Sequence, residues 1–329
     1  MSDEEEAPAA DEPREIMLLT IQVPAECDGW RLDHFLKFRI RRLSRNRIRT
    51  VIETQVRLPD GRKPRPALSV RGGWTIFIDR PAPIEPEVPR DFAVLAQDET
   101  FIAIDKPAGL PMHTTAKFWK NTLVAILRER YPAERVQICH RIDRETSGVL
   151  LIARTPEAAS FLKKSFANRA VKKAYLALVH GCPAEREGII DRPMRLLDTK
   201  THVMMGVETG GLPAVTRYRV VQEYPRHSLI EASPETGRQH QIRVHLASLG
   251  HPIVGDKLYR ASEADFMKYC DVGLTPELLE RFDHLPRHAL HAARLTFPHP
   301  TTKLNITVEC PLPKDLRDYI ATIEEPAGK

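Results

Sequence analysis

Residues 140–153 read His-Arg-Ile-Asp-Arg-Glu-Thr-Ser-Gly-Val-Leu-Leu-Ile-Ala, and the rest of the chain is organised around them. An acid stands between two arginines, a Thr-Ser-Gly turn follows, and an unbroken apolar run comes last. Such a run, bounded by turn residues, is typical of a strand that is buried on both faces. A second short apolar stretch, residues 136–139, precedes the acid. We therefore predict that Asp143 lies on a loop between two core strands, a rigid place for a reactive group. A surface ion-pair loop is the alternative interpretation.

The overall composition is that of an ordinary globular protein. With 329 residues the chain can bury the core of one large domain and hold a small domain as well. No apolar run approaches the length of a membrane span, and we find no signal peptide. The five cysteines lack Cys-x-x-Cys spacing, which argues against a disulfide framework and a zinc site. We therefore expect a cytoplasmic, monomeric protein without contact to a membrane.

The charge is distributed unevenly along the chain. Residues 1–16 are acidic and rich in proline and alanine, which predicts a disordered tail. Residues 31–65 instead contain twelve Lys/Arg and only three Asp/Glu, although the formal net charge of the whole chain is only +5. Such a density of positive charge can belong to a solvated face, but it favours a polyanion partner, and we expect RNA.

The basic segment has the pattern of a small folded module over residues 17–80. Residues 16–24 predict a strand, and apolar residues at 32, 35 and 36 predict one face of a helix. Ser44 is a suitable cap for a second helix, residues 45–53, and a strand pair around residues 56–58 and 74–78 closes the unit. The second helix and the residues before it form a positive ridge that can follow a phosphate backbone. The arginines of this ridge are Arg41, Arg42, Arg45, Arg47 and Arg49.

This order of elements resembles the RNA-binding module that is named after the fourth ribosomal protein of the small subunit. Residues 81–90 follow it and are rich in proline, which predicts a semi-rigid linker. The second domain then occupies residues 91–324. In it we predict strands at 101–104, 148–153, 174–180, 216–222, 228–232, 294–297 and 304–309. We predict helices that begin at Asn121, at Pro156 and near Gln239, a mostly helical excursion at 259–286, and a C-terminal helix.

Several familiar catalytic signatures are missing from the sequence. It contains no phosphate-binding Gly-x-x-x-x-Gly-Lys loop, no Gly-x-Gly-x-x-Gly after a strand and no His-Glu-x-x-His. His240 and His245 are five residues apart, which places them on different sides of a helix. Ser147 lacks the pattern of a nucleophile elbow. Metal, nucleotide and serine-hydrolase chemistry therefore have little support, and we expect neither a metal nor another cofactor.

Three segments remain that can carry chemistry: the Asp143 loop, the strand at 172–179 with Tyr175 near its start, and the opening of a helix at 236–245. In combination they resemble the pseudouridine synthases of the RluA type, which isomerise uridine in large-subunit ribosomal RNA and in transfer RNA. The resemblance runs from about Phe101 to Phe297 and rests on His-Arg-Ile-Asp-Arg-x-Thr-Ser-Gly followed by aliphatic residues. It is reinforced in order by Lys173-x-Tyr175, Thr236-Gly237-Arg238, residues 250–256, residues 290–292 and residues 297–300.

The resemblance implies roles for particular residues. Asp143 is the implied catalytic residue, either as a nucleophile at ribose carbon 1′ or as a base at carbon 2′. Arg243 keeps this carboxylate charged, and we expect the guanidinium to hold it through two parallel hydrogen bonds. Tyr175 stacks on the uracil and can take part in removing the carbon-5 proton. Ile242 walls the pocket and Leu290 packs under the base.

Other residues are more suited to the RNA backbone than to catalysis. We assign Arg141, Arg144 and Arg238 to RNA phosphates, and we expect the turn at Gly237 to be an anion site because it precedes a helix. The resemblance implies no cofactor.

The predicted fold class is α+β, because strands and helices do not alternate strictly. We expect a pseudouridine synthase catalytic domain with a central mixed or antiparallel sheet flanked by helices, preceded by a small α/β RNA-binding module. The predicted function is isomerisation of uridine to pseudouridine, with large-subunit ribosomal RNA as the expected target. The alternatives are a transfer-RNA enzyme of the same family, a non-catalytic RNA-binding or ribosome-assembly protein, and a hydrolase built on Asp143.

Overall fold

A computed structural model describes residues 16–40, 43–81, 85–115, 117–199, 201 and 203–324. The chain divides into two compact units between residues 84 and 85, which lie within the predicted linker. The Glu85 carboxylate accepts hydrogen bonds from the backbone N–H groups of Trp119, Lys120 and Asn121 in the second unit. Nearly all of the predicted acidic tail (residues 1–15), and residues 82–84 of the linker, lie outside the described residues.

The N-terminal unit pairs a three-stranded antiparallel sheet with two helices. Its elements are β1 (Ile16–Gln22), a short 3-10 helix (Ala25–Cys27), α1 (Leu32–Arg39), α2 (Arg45–Thr54), β2 (Val56–Arg57) and β3 (Thr75–Pro81). The strand order is β1-β3-β2. The Ser44 hydroxyl accepts a hydrogen bond from the N–H of Arg47 and so begins α2, as predicted. The apolar positions predicted to face inward are buried, among them Leu32, Phe35 and Ile48.

The second unit is built on a ten-stranded mixed sheet. Its strands are β4 (Val94–Gln97), β5 (Phe101–Lys106), β6 (Gln137–Ile138), β7 (Ser147–Ala153), β8 (Lys172–His180), β9 (Glu187–Asp191), β12 (Val215–Glu223), β13 (His227–Pro234), β14 (Leu290–Pro298) and β15 (Asn305–Glu309). The order is β4-β5-β7-β14-β8-β13-β12-β9, with β6 against β7 and β15 against β14. Only β7 and β14 pair in parallel among the described strands. A separate antiparallel pair consists of β10 (Met194–Leu196) and β11 (Met205–Val207).

Six helices complete the described part of the second unit: α3 (Leu123–Arg130), α4 (Pro156–Ala167), α5 (Gln241–Ser248), α6 (Glu263–Val272), α7 (Pro276–Arg281) and α8 (Lys314–Glu324). The α+β fold class is therefore confirmed. Two helix starts differ from the prediction: Thr122 rather than Asn121 caps α3, and α5 begins at Gln241 rather than Gln239. Strands β4, β9, β10 and β11 were not predicted. None of the described helices has the length and apolar character that crossing a membrane needs.

Strand β7 lies in the middle of the sheet, and all seven of its residues are buried. It pairs antiparallel with β5 and in parallel with β14. Gly148 has φ +107°, and a Cβ at this position would lie 2.3 Å from the carbonyl oxygen of Ala292 on β14. Gly148 of the Thr-Ser-Gly sequence is therefore required by the close approach of two backbones. It lies inside β7 rather than in the predicted turn.

We expect Gly148→Ala to lower the free energy of unfolding by about 3 kcal/mol or more, because the methyl group meets backbone atoms that cannot move aside. Chemical denaturation is the measurement. Gly250→Ala is the matched control, since Gly250 also has positive φ but nothing lies within 4 Å of its added Cβ. The control should cost only about 1 kcal/mol of backbone strain. Equal losses in the two variants would show that the contact with β14 is unimportant.

Candidate active site

A cavity of about 590 Å³ opens in the second unit beside the Asp143 loop. Its walls come from the loop after β6, the stretch from the end of α4 to the start of β8, the turn between β13 and α5, the first residues of α5, and the start of β14. Most of the predicted site residues line it together: Arg141, Ile242, Asp143, Tyr175, Gly237, Arg238, Arg243 and Leu290. Four segments that are far apart in the sequence therefore meet around one hollow of a size that suits a small ligand.

Asp143 lies on the loop between β6 and β7, as predicted. One carboxylate oxygen, Oδ2, accepts a hydrogen bond of 2.9 Å from Nη1 of Arg243. The other oxygen, Oδ1, has no hydrogen-bond partner among the described residues, and the side chain is 24% exposed. Every buried side-chain oxygen and nitrogen in the described residues has a hydrogen-bond partner. Because Oδ1 has none, it is not buried and is accessible. The free oxygen of Asp143 can therefore meet a ligand in the cavity.

Arg243 holds two carboxylates rather than one. Its Nε and Nη2 donate parallel hydrogen bonds of 2.7 and 2.9 Å to Asp256, whose side chain is fully buried. Asp143 receives a single hydrogen bond, from the third guanidinium nitrogen, Nη1. The prediction of two parallel hydrogen bonds to Asp143 is therefore wrong, because Asp256 occupies the bidentate edge of the guanidinium formed by Nε and Nη2. Asp256 fixes the plane of Arg243, and Arg243 in turn aims one N–H at Asp143.

The electrostatic surroundings keep Asp143 ionised. Burial by itself raises the pKa of Asp143, but neighbouring positive charge, above all that of Arg243, outweighs burial and holds the pKa below its ordinary value. Burial also lowers the pKa of His240 to about 4 and that of His288 to about 3, so both rings are neutral at neutral pH. Arg243 is therefore the permanent cation beside this carboxylate.

The lowered pKa of Asp143 predicts the pH dependence of any reaction that needs the carboxylate. A depressed carboxyl pKa means that the charged form persists as the pH falls, until the pH passes through the folded-state value. We expect the single-turnover rate to show no acid limb from Asp143 between pH 8 and about 5, since an ordinary aspartate titrates near 4. An acid limb with a midpoint near pH 6 would contradict a stabilised carboxylate.

Tyr175 lies near the start of β8 and is half-buried against the cavity. Burial and the nearby charge of Asp143 raise the pKa of its hydroxyl, which therefore stays protonated. This hydroxyl makes no hydrogen bond with the residues that the structure describes. It is therefore accessible, because every buried side-chain oxygen and nitrogen in those residues has a partner. The buried side chains of Ile242 and Leu290 supply apolar wall. The ring and hydroxyl of Tyr175 are thus available to a flat ligand.

The turn before α5 differs from the predicted anion site. Because α5 begins at Gln241, Gly237 lies four residues ahead of the helix rather than at its start. The side-chain oxygen of Gln241 accepts hydrogen bonds from the Thr236 hydroxyl and from the N–H of Arg238. The same amide donates to Val215 and Thr216. The helix therefore begins two residues later than predicted, and one of the turn's N–H groups is already used within the chain.

The basic residues around the cavity separate into two groups. Arg141 is exposed and lines the cavity, and Arg238 lines it while donating from Nε to the carbonyl of Pro213 at 3.1 Å. Arg144 is not among the lining residues. Its Nη2 donates to the Tyr269 hydroxyl at 2.7 Å, and its guanidinium lies 5.9 Å from the Phe118 ring. The structure thus ties Arg144 to α6 in the helical excursion.

Two further residues that shape the site were not predicted. Lys106 at the end of β5 is fully buried, and its Nζ donates to the carbonyls of Pro107, Leu110 and Arg144. Burial lowers the pKa of Lys106 to about 7, yet three acceptors match the three protons of an ammonium group. Lys106 therefore anchors the loop that carries Asp143. Tyr259 packs its ring 5.0 Å from the guanidinium of Arg243.

The predicted basic ridge lies on the N-terminal unit. Arg45, Arg47 and Arg49 on α2 are exposed, while Ile48 and Ile52 face the core. Arg41 and Arg42 lie outside the described residues. Among the residues that are described, no cluster of three His, Cys, Asp or Glu side chains is placed to hold a metal ion.

Comparison with known proteins identifies the family. Residues 100–248 match the family model described as RNA pseudouridylate synthase. The chain is 34% identical to a ribosomal large subunit pseudouridine synthase D of Nitrosomonas europaea, over 93% of this chain and 88% of the relative. It is 35% identical to the protein of the same name from Xanthomonas campestris pv. campestris, over 97% of this chain and 96% of the relative.

Solved structures give the same result. The protein named human RNA pseudouridylate synthase domain containing 4 matches with a TM-score of 0.55 and 27% identity, over 70% of this chain and 92% of that one. The human protein named domain containing 1 matches with a TM-score of 0.54 and 26% identity, over 73% and 97% of the two chains. The chain therefore belongs to the RNA pseudouridine synthases, the family that its motifs resemble.

Proposed function

We propose that this RNA pseudouridine synthase acts on large-subunit ribosomal RNA and that Asp143 is the residue that reacts with the target uridine. The assignment of Asp143 rests on the different surroundings of its two carboxylate oxygens. Arg243 binds Oδ2, whereas Oδ1 is left free at the cavity. The ribosomal target is supported by the names of the relatives from Nitrosomonas europaea and Xanthomonas campestris.

The reaction begins when the uridine's C1′–N1 bond breaks and its electron pair leaves with the uracil. In one route the free oxygen of Asp143 forms a bond to C1′. In the other, Asp143 removes the C2′ proton and later returns it. The uracil then turns and C5 bonds to C1′. In the first route this step breaks the bond between C1′ and the Asp143 oxygen and restores the carboxylate. The C5 proton is then lost, and N1 gains a proton. Both routes are balanced isomerisations, and both need an ionised carboxylate in a place that excludes bulk water.

The other residues of the cavity support this carboxylate and its substrate. Arg243 keeps Asp143 charged and oriented. Tyr175 supplies a flat surface for the swung-out uracil and a protonated hydroxyl close to it, while Ile242 and Leu290 exclude water around the base. A uridine in folded RNA must be unstacked to reach the cavity, at a cost of about a few kcal/mol. Contacts of Arg141, Arg238 and the turn at Gly237 with RNA phosphates offset this cost.

Arg144 has a different part in this proposal. Because its guanidinium is bound to Tyr269 and Glu145, we infer that any phosphate contact it makes is oriented by α6. The N-terminal unit adds sequence-independent affinity through the exposed arginines of α2. We also propose a cytoplasmic location, as a substrate in ribosomal RNA suggests, and a monomeric enzyme without contact to a membrane.

The target is tested by mapping pseudouridine in all stable RNAs from cells with and without this protein. We expect one or a few sites in large-subunit ribosomal RNA to be lost, and these sites to return when the wild-type gene is restored. Loss of sites in transfer RNA alone would replace the ribosomal target with the alternative. An unchanged map would refute both.

The RNA role of α2 predicts a change in salt dependence. We expect Arg45→Gln with Arg49→Gln to reduce the slope of log Kd against log salt by about 1 to 2, because each lost phosphate contact removes about one released counterion. Arg57→Gln is the control, since Arg57 is exposed but already paired with Asp79. An unchanged slope in the double variant would remove this ridge from the RNA interface.

A further inference from the structure

His240 lies in the turn before α5 with φ +56°, a conformation that few residues other than glycine adopt. It lines the cavity together with Asp143 and Arg243. Its Nδ1 lies 2.7 Å from the hydroxyl oxygen of Tyr259, the residue whose ring packs on Arg243. The backbone is thus held in an uncommon conformation at the site, and one ring nitrogen has a fixed partner.

The partner determines which nitrogen of His240 carries the proton. The backbone N–H of Met205 donates to the Tyr259 oxygen at 3.1 Å, and burial raises the pKa of Tyr259, which therefore keeps its own proton. Nδ1 of His240 is the only acceptor that this proton meets among the described residues. Since Nδ1 accepts, the neutral ring carries its hydrogen on Nε2.

Nε2 of His240 is free to donate. It has no hydrogen-bond partner in the described part of the chain. Every buried side-chain nitrogen and oxygen in the described residues has a partner, so an atom without one, such as Nε2, is accessible. The open space that His240 lines is the cavity. A neutral N–H donor of fixed tautomer is therefore available to whatever fills that cavity.

We propose that His240 is a further residue of the uridine site, whose Nε2–H donates a hydrogen bond to a carbonyl oxygen of the uracil. The proposal rests on the proposed function of the Asp143 cavity. Burial and the adjacent charge of Arg243 keep the ring uncharged at neutral pH. A neutral donor suits a base carbonyl, whereas phosphates are bound mainly by cations.

The contact has a consequence for the rate. When the C1′–N1 bond breaks, the electron pair that leaves with uracil is shared by its ring and its two carbonyl oxygens. A donor that is already oriented towards one of these oxygens stabilises the detached base more than the bound uridine. His240 forms no covalent bond and gives up no proton in this role. Tyr259 is a positioning residue, because it sets the tautomer of His240.

Two substitutions of His240 separate this role from a structural one. A glutamine amide nitrogen can occupy nearly the position of Nε2, whereas the shorter asparagine reaches only about as far as Nδ1. Asparagine tolerates positive φ better than glutamine. We expect His240→Asn to lower kcat by about 100-fold and His240→Gln by less than about tenfold. A role limited to the backbone turn predicts the opposite order.

The contacted oxygen is identified with RNA that contains 2-thiouridine or 4-thiouridine at the target position, because sulfur is a weaker acceptor. We expect one of the two to slow the wild type markedly, and the same substitution to have little further effect in His240→Asn. Tyr259→Phe keeps the ring on Arg243 and removes only the hydroxyl. It should lower kcat, and combining it with His240→Asn should add little.

The proposal is overturned if His240→Asn is as active as wild type, if His240→Gln is no better than His240→Asn, or if neither thio substitution depends on His240. Asp143→Ala is assayed in parallel. Activity in that variant would refute the proposed role of Asp143, whereas its inactivity together with a normal His240→Asn would refute only the present inference.

Discussion

Asp143→Asn is expected to lower the single-turnover rate of pseudouridine formation by about 10⁴-fold or more, because the amide can neither bond to C1′ nor accept the C2′ proton. The substitution keeps the size of the side chain, and its amide oxygen can still accept a hydrogen bond from Arg243. We therefore expect the free energy of unfolding to change by no more than about 1 to 2 kcal/mol. RNA affinity should be nearly unchanged.

The measurement is digestion of the reacted RNA to nucleosides and quantification of uridine, pseudouridine and free uracil. Glu235→Gln is the matched control: Glu235 also lines the cavity, but its carboxylate is paired with Arg217. This control should stay within about threefold of wild type, in the range of an exposed surface change. Normal turnover by Asp143→Asn would remove Asp143 from the reaction, and release of free uracil by wild type would indicate a hydrolase.

Arg243→Lys is expected to lower kcat by about 100-fold. Arg243 donates three hydrogen bonds to two carboxylates, and a lysine ammonium cannot reproduce the planar fork on Asp256 while reaching Asp143. Because Asp256 is fully buried, we also expect the free energy of unfolding to fall by about 2 kcal/mol. Chemical denaturation and single-turnover kinetics are measured on the same preparation.

Asp256→Asn is the companion variant for Arg243→Lys. It leaves Arg243 and Asp143 in place but removes the charge that fixes the guanidinium plane. We expect a loss of activity smaller than that of Arg243→Lys, with the folded state retained. Near-normal turnover in Arg243→Lys would contradict a need for this geometry and would leave only a need for positive charge.

Local patterns in the sequence predicted much of this structure. The apolar run after Asp143 became the fully buried strand β7, and Ser44 caps α2 because its hydroxyl reaches an N–H only three residues away. The motif resemblance also indicated the residues that the fold gathers around the cavity. These features depend on short-range periodicity or on motifs that keep their order along the chain.

The features that could not be predicted are contacts between distant parts of the chain. Nothing in the spacing around Arg243 indicates that its guanidinium forms the bidentate ion pair with Asp256. Arg144 follows Asp143 directly, yet its direction is set by Tyr269, 125 residues later. Helix α5 begins only after His240, whose left-handed backbone conformation is not indicated by the sequence pattern. The side chain of Gln241, the first residue of the helix, donates to Thr216 on β12. Asp256 is the last residue of the motif at 250–256, so the sequence did mark it as a residue of interest. The motif alone did not indicate that its partner is Arg243.

The central claim is that a uridine enters the cavity with its ribose against the free oxygen of Asp143. A crystal structure of Asp143→Asn bound to RNA with its target uridine tests this directly through the distance from the side chain at position 143 to C1′ or C2′. We predict a separation of about 3 to 3.5 Å to one of these carbons, with the uracil between Tyr175 and Leu290. A uridine bound outside this cavity, or one whose ribose meets a different carboxylate, would contradict the account.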